Sequence, residues 1–309
     1  MTDAERQRLM GLKSNLERRA AIFRLTRRFF DERGFLEVDT PIRSPTIAPE
    51  KEIVPFQSEG WFLATSPELY MKRLLAAGCE RIYQMSHCFR KDERGRLHNP
   101  EFTLLEWYRA RAGFQDVIAD TEQLTLFIAR QLGMGESFKY QGKTLDLSAP
   151  WGQITVRDLY LQMAQWDPVK DPDPRRFDED MVTRVMPHLN PHRPLVVIDY
   201  PAPMASLARL KPGDPQVAER AEVFIGGMEL ANAYSELTDP AQQRARFQSE
   251  IESIRREQVR EAPLPEKFLG ALPDMPPCAG IALGMDRLVM LFCDAASIDR
   301  AMPFTTDNA

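Results

Sequence analysis

The chain has 309 residues, 43% of them hydrophobic and 28% charged, with a formal net charge of −5. That composition supports a sizeable core and excludes a disordered chain. A net acidic protein is a poor fit to broad, charge-driven nucleic-acid binding, although local basic patches remain open.

The start MTDAERQRLM is charged and has no apolar stretch of the signal-peptide kind, and no run approaches the roughly 18 apolar residues of a membrane span. Cys79, Cys88, Cys278 and Cys293 form no CxxC pair and lack a His at zinc-ligand spacing. They read as reduced residues of a cytoplasmic protein with no membrane partner.

In chain order, residues 4–33 predict a helix that Gly34 terminates. Its basic side chains, among them Arg8, Arg18, Arg19 and Arg27, read as a solvated face or as a docking surface for an acidic partner. Phe35–Val38 is a short extended piece stopped by Pro41. Leu69–Ala77 predicts a helix, Arg81–Phe89 a strand, 91–100 a charged loop and Phe102–Tyr108 a second strand, which together make an antiparallel hairpin. Phe114–Leu132 predicts a helix. The stretch 141–217 is the least informative. It holds a candidate helix at Val156–Ala164, a surface loop at Asp167–Arg175 and a buried strand at Leu195–Ile198. Glu222–Ile225 and Met228–Glu236 predict strands around a Gly226-Gly227 turn. Ala241–Glu261 predicts a charged helix, Cys278–Leu283 a strand, and Gly284 opens a helix over Met285–Phe292. Hairpins mixed with helices, without a βαβ rhythm, give an α+β fold in a single domain over 1–309. No GxxxxGK[ST] or GxGxxG run is present, so a P-loop or Rossmann nucleotide site is excluded.

Three stretches can carry chemistry. In HCFRKDERGRLHNPEFTLLEWY, residues 87–108, alternation puts Phe102, Leu104, Glu106 and Tyr108 on one strand face. A carboxylate among apolar neighbours calls for a cationic partner. Arg90, beside Asp92, is placed to grip a phosphate, and an aromatic ring there can stack on a purine. In EVFIGGMELANAYSE, residues 222–236, Glu222 and Glu229 flank the turn, so that two carboxylates at opposed hairpin positions could hold Mg²⁺; a wet, charged hairpin is the plainer alternative. Asn232, Tyr234 and Glu236 alternate on one face. In GIALGMDR, residues 280–287, small residues alternate with bulky ones and leave one face bare for a flat ligand, or for close helix–strand packing. Arg287 follows on the first helical turn.

These stretches, with RGFLEVDTP (residues 33–41) ahead of them, resemble the signature motifs of class II aminoacyl-tRNA synthetases. TSPELYMKRLL, HNPEFTLLEWY, GGMELANAYSEL and GMDRLVMLF look most like the lysyl type. The resemblance covers most of the chain and is weakest over about 133–217. It implies an antiparallel sheet flanked by helices, a homodimer built through the first motif, and AMP-forming use of ATP with Mg²⁺. For ATP it implies Arg90 and Arg287 as the catalytic cations, with Asp92, His98, Asn99, Phe102, Leu230 and Gly284 around the nucleotide and Glu222 and Glu229 on the metal. For the amino acid it implies Ser66, Glu68, Glu106, Tyr108, Asn232, Tyr234, Glu236 and Ala282. The usual second motif reads FRxE, and Asp92 stands here in place of Glu.

The first motif starts near residue 33, which leaves no room before it for an anticodon-binding OB domain. Ala282 occupies a position where the synthetases usually carry Gly. Both features resemble the free-standing lysyl-type paralogues that attach (R)-β-lysine to a lysine of translation elongation factor P, and they imply no tRNA substrate. Two alternatives stay open: a truncated enzyme that activates α-lysine for another acceptor, and a catalytically dead binding paralogue. An aspartate- or asparagine-type pocket would need a cation where Glu106 and Glu236 stand.

Overall fold

The computed structural model describes residues 1–258 and 261–309. α1 (Asp3–Asp31) is capped by the Thr2 hydroxyl, which accepts from the Glu5 amide. Leu12, Ile22, Phe29 and Phe30 form its buried stripe, and Gly34 takes φ +70° just beyond it. The basic side chains of this helix tie it to the body of the protein. Arg8 donates to the Pro303 carbonyl, Arg18 to the Phe292 carbonyl, and Arg19 pairs with buried Asp286 at 2.5 Å. These three arginines are structural anchors, whereas Arg6, Lys13, Arg24, Arg27 and Arg28 are exposed, as a solvated face predicts.

β1 (Leu36–Glu37) leads into a small antiparallel sheet of β2 (Arg43–Ser44), β3 (Gln57–Ser58) and β4 (Trp61–Leu63). α2 (Glu68–Ala76) precedes the hairpin of β5 (Arg81–Phe89) and β6 (Glu101–Ala110), whose register sets Gln84 opposite Glu106. α3 (Phe114–Gln131) follows, then the hairpin of β7 (Ser137–Tyr140) and β8 (Lys143–Asp146). β9 (Gly152–Thr155), α4 (Val156–Met163), α5 (Pro174–Asp180), a π-helical turn at Met181–Val185 and β10 (Leu195–Pro201) come next. The expected loop from Asp167 ends at Asp173, whose carboxylate caps α5 ahead of Pro174. β11 (Leu210–Lys211) leads into β12 (Asp214–Ile225), which starts well before the expected Glu222, and β13 (Met228–Ser235) returns through the Gly226-Gly227 turn. α6 (Pro240–Gln258) reaches the limit of the described segment. The expected helix also took in residues 259–260, which lie outside the described residues, and Glu261, which is not helical. α7 (Glu266–Leu269), β14 (Cys278–Gly284) and α8 (Met285–Phe292) complete the fold.

The main sheet runs β1-β5-β6-β14-β13-β12-β10-β9, with β11 beside β12. Its interior pairs are antiparallel, and among the described strands only β1–β5 and β9–β10 are parallel. This is the α+β antiparallel core that the motifs predict. Residues of one face, including Leu105, Trp107, Val223, Ala233, Ile281 and Leu283, join α1, α3 and α8 in the main core. Because side chains alternate along a strand, their neighbours point to the other face and floor a large cleft. Among the described helices none is long and apolar enough to cross a membrane. All four cysteines are free, with Cys88 and Cys278 buried.

Candidate active site

A cleft of about 1140 Å³ lies on the open face of the sheet. Its floor carries Phe102, Leu104, Glu106 and Tyr108 from β6, Arg220 and Glu222 from β12, Asn232 and Tyr234 from β13, and Gly280 and Ala282 from β14. The register of adjacent strands fixes their order. Ala282 stands between Glu106 and Asn232, and Gly280 stands between Tyr108 and Tyr234.

Three cationic or basic groups converge at one end. Arg90 pairs with Glu93 at 3.0 Å, donates to the Thr65 carbonyl, and holds its guanidinium carbon 5.2 Å from the Phe102 ring centroid. Arg287, on the first turn of α8, donates to the Glu229 carbonyl at 2.8 Å and lies 2.6 Å from His98 Nε2. A guanidinium has no acceptor, so His98 Nε2 must be unprotonated. Burial, and then the Arg287 charge, hold the His98 imidazole below its usual range. Arg90 and Arg287 both act on His98 electrostatically, so both serve the same end of the cleft.

Glu222 and Glu229 are close but not opposed. β13 carries a bulge in which Leu230 is the extra residue, so Glu229 faces Phe224 and Glu222 faces Asn232. This corrects the expectation of opposed hairpin positions. Glu222 accepts from Arg220 at 2.8 Å and from Asn232 at 3.5 Å. Burial raises its pKa, Arg220 opposes the rise, and the Glu229 carboxylate adds to it. Among the described residues no group of three or more His, Cys, Asp or Glu is arranged as a metal cluster. Two neighbouring carboxylates beside the Arg287 guanidinium nevertheless suit a Mg²⁺ ion that completes its shell with oxygens of a ligand and water.

An acidic pocket lies further along the floor. Glu106 is 1% exposed, accepts from Ser66 Oγ at 2.6 Å and from Tyr108 OH at 2.8 Å, and sits near Glu68. Burial, with Glu68 adding, raises its pKa to about 7 against the pull of Ser66, Tyr108 and Lys72. Glu236 is pushed up to about 8 by burial; Lys72 opposes the rise, and Glu68 and Glu106 add to it. Gly280 makes room for this arrangement, since a Cβ there would collide with the Tyr108 ring and with Glu236 Oε1.

Most of the predicted residues meet in this cleft, and one stands apart. Asp92 is exposed and does not line it; Glu93 is the carboxylate that meets Arg90. Asn99 reaches the rim, but its amide group is engaged with the Glu101 carbonyl and the Thr306 amide. Leu230 is largely buried at its bulge but borders the cleft, and Gly284 caps α8 beneath Arg287. Three charged residues escaped the sequence reading. Lys72 is buried between Glu68 and Glu236, Arg220 anchors Glu222, and Glu50 lines the cleft with its pKa raised by burial to about 7. The Glu68–Lys72 spacing on a helix, and the Arg220–Glu222 alternation on a strand, were the available signals.

A model of the class II tRNA synthetases (D, K and N) matches residues 5–308. The chain is 37% identical over 311 residues to a Klebsiella pneumoniae protein named elongation factor P–(R)-β-lysine ligase, with 96% of each chain covered. Proteins of the same name from Edwardsiella ictaluri (38% over 319 residues) and Salmonella schwarzengrund (36% over 311 residues) are likewise covered over 96% of both chains. With the sheet, the cleft and both sequence matches running over nearly its whole length, the chain belongs to the class II tRNA synthetase family of the D, K and N type.

Proposed function

We propose that this protein activates (R)-β-lysine with ATP and transfers it to a lysine ε-amine of translation elongation factor P. The observation that carries the reading is a single cleft with cations at one end and a buried acidic pocket at the other. The first suits the phosphates of a nucleotide and the second suits the ammonium groups of a long diamino acid. The names of the relatives supply the acceptor.

The reaction runs in two steps. A carboxylate oxygen of the amino acid attacks the α-phosphorus of ATP, the bond to the bridging oxygen of pyrophosphate breaks, and an aminoacyl adenylate forms. A neutral acceptor amine then attacks the acyl carbon, AMP leaves with the C–O bonding pair, and the amine loses a proton. Arg90 neutralises charge that builds at the α-phosphate while Phe102 supports the adenine. Arg287 and neutral His98 receive the outer phosphates. Glu222 and Glu229 would hold Mg²⁺, which supplies Lewis-acid polarisation of the phosphate oxygens. Glu106, Tyr108 and Glu236 take the terminal ammonium; Ser66, Glu68, Asn232 and Tyr234 line the rest of the substrate, and the Ala282 methyl shapes the floor beside it.

The chain acts in this reading as one catalytic domain, on a protein acceptor rather than tRNA. It works as a homodimer, for which the exposed Leu36, Ile42 and Trp61 beside the first motif offer an apolar surface. ATP–pyrophosphate exchange with each lysine isomer tests the substrate. The reading predicts strong exchange with (R)-β-lysine, and a clear preference for α-lysine would replace it with the truncated-synthetase alternative.

A further inference from the structure

Lys72 is the most unusual charged group beside the acidic pocket, buried against Glu68 and Glu236, which line the cleft. It lies on α2 with its side chain 1% exposed, and its ammonium is 2.5 Å from both Glu68 Oε1 and Glu236 Oε2. The Phe268 ring of α7 stands 6.0 Å from that ammonium. A lysine costs much to bury unless it is paired, and here one ammonium is shared by two carboxylates from different elements. Glu68 begins α2, whereas Glu236 follows the end of β13. Glu106 and Tyr108 of β6, the Cys278 thiol of β14, Tyr234 of β13 and Glu50 are the other titratable groups acting on this cluster.

We propose that Lys72 is a positioning residue, a built-in counter-ion that holds Glu68 and Glu236 in place and sets the pocket's charge for a substrate with two ammonium groups. Glu68, Glu106 and Glu236 together carry three negative charges when ionised, and Lys72 cancels one. The remaining two match a diamino acid and mismatch a monoamine. Lys72 also engages Glu68 Oε1 and Glu236 Oε2, which leaves Glu236 Oε1 and the Glu106–Tyr108 pair for the terminal ammonium. The inference rests on the reading of this pocket as the amino-acid site. Lys72 lowers the Glu236 pKa and Glu68 raises it, so loss of either changes the pH at which the pocket becomes anionic, in opposite directions.

The test compares wild type, Lys72→Met and Glu68→Gln from about pH 6 to about pH 9, with (R)-β-lysine in ATP–pyrophosphate exchange and with ¹³C-glutamate NMR titration of the ligand-free proteins. In Lys72→Met the Glu236 midpoint should move up by about one pH unit or more. At neutral pH the KM for the amino acid should rise about tenfold while the KM for ATP stays within about twofold. In Glu68→Gln the midpoint should move down. If Lys72→Met does not fold, the sign of the Glu68→Gln shift decides. A Lys72→Met midpoint and amino-acid KM equal to wild type would overturn the proposal, as would an equal rise in both KM values or an unmoved or alkaline midpoint in Glu68→Gln. If wild type exchanges with no lysine isomer, the functional reading fails by itself, and the ligand-free titration still decides the role of Lys72.

Discussion

Gly280 faces Tyr108 across adjacent strands, and a Cβ placed on it would lie 2.5 Å from Glu236 Oε1 and closer still to the Tyr108 ring. The bare backbone at Gly280 is what leaves room for the Tyr108 ring and the Glu236 carboxylate side by side in the pocket. Gly280→Ala should therefore displace Tyr108 or Glu236 and raise the KM for the amino acid, at a cost of about 1–3 kcal/mol in packing. The KM for ATP should hardly change. Separate KM determinations for the two substrates check this.

Arg90→Ala should reduce ATP–pyrophosphate exchange by about 10²–10³-fold, the scale for loss of one preorganised charge at a reacting centre. The side chain is anchored by Glu93 and the Thr65 carbonyl outside the main core, so the fold should persist. Circular dichroism and a thermal melt verify the fold. Normal exchange in this variant would refute the assignment of Arg90.

Glu222 and Glu229 should separate in their stability effects. Glu229→Gln should raise the Mg²⁺ concentration needed for half-maximal exchange with little change in stability. Glu222→Gln should do the same and also weaken a buried pair with Arg220, at a cost of about 1–3 kcal/mol. Mg²⁺ titrations of exchange together with urea denaturation distinguish the two.

Glu106 and Glu236, raised to about 7 and about 8, give the ligand-free protein a pH signature. Each binds its proton more tightly when folded than when unfolded, where the carboxyl ionises near 4.5. Their contribution to stability is complete below that value and is lost as pH rises to about 7 and about 8. Glu106→Gln should flatten part of this fall. Stabilisation by the diamino acid should grow over the same interval, because binding an ammonium requires the ionised carboxylates. Thermal melts across pH with and without the amino acid measure both effects.

The motifs made the central hairpins, the α8 junction and most of the cleft floor legible, because strand alternation alone puts Glu106 with Tyr108 and Asn232 with Tyr234 on one face. The early part of β12 was not legible. Pro215, Gln216 and Glu219 break its apolar pattern, and β11 and β10 supply the pairing that makes it a strand. Lys72 was missed because an i,i+4 Glu–Lys pair ordinarily marks a solvated helix face, and only the packing of α2 against β6 and α7, with Glu236 beyond β13, buries this one. The bulge at Leu230 also left no mark in the sequence, although it decides how Glu229 meets Arg287.

The most direct measurement is the mass of translation elongation factor P after incubation with the protein, Mg-ATP and each lysine isomer. The account predicts addition of one β-lysyl group to a single lysine with (R)-β-lysine, and little or none with α-lysine or without ATP. Unmodified elongation factor P under all conditions, with aminoacylated tRNA formed instead, would contradict it.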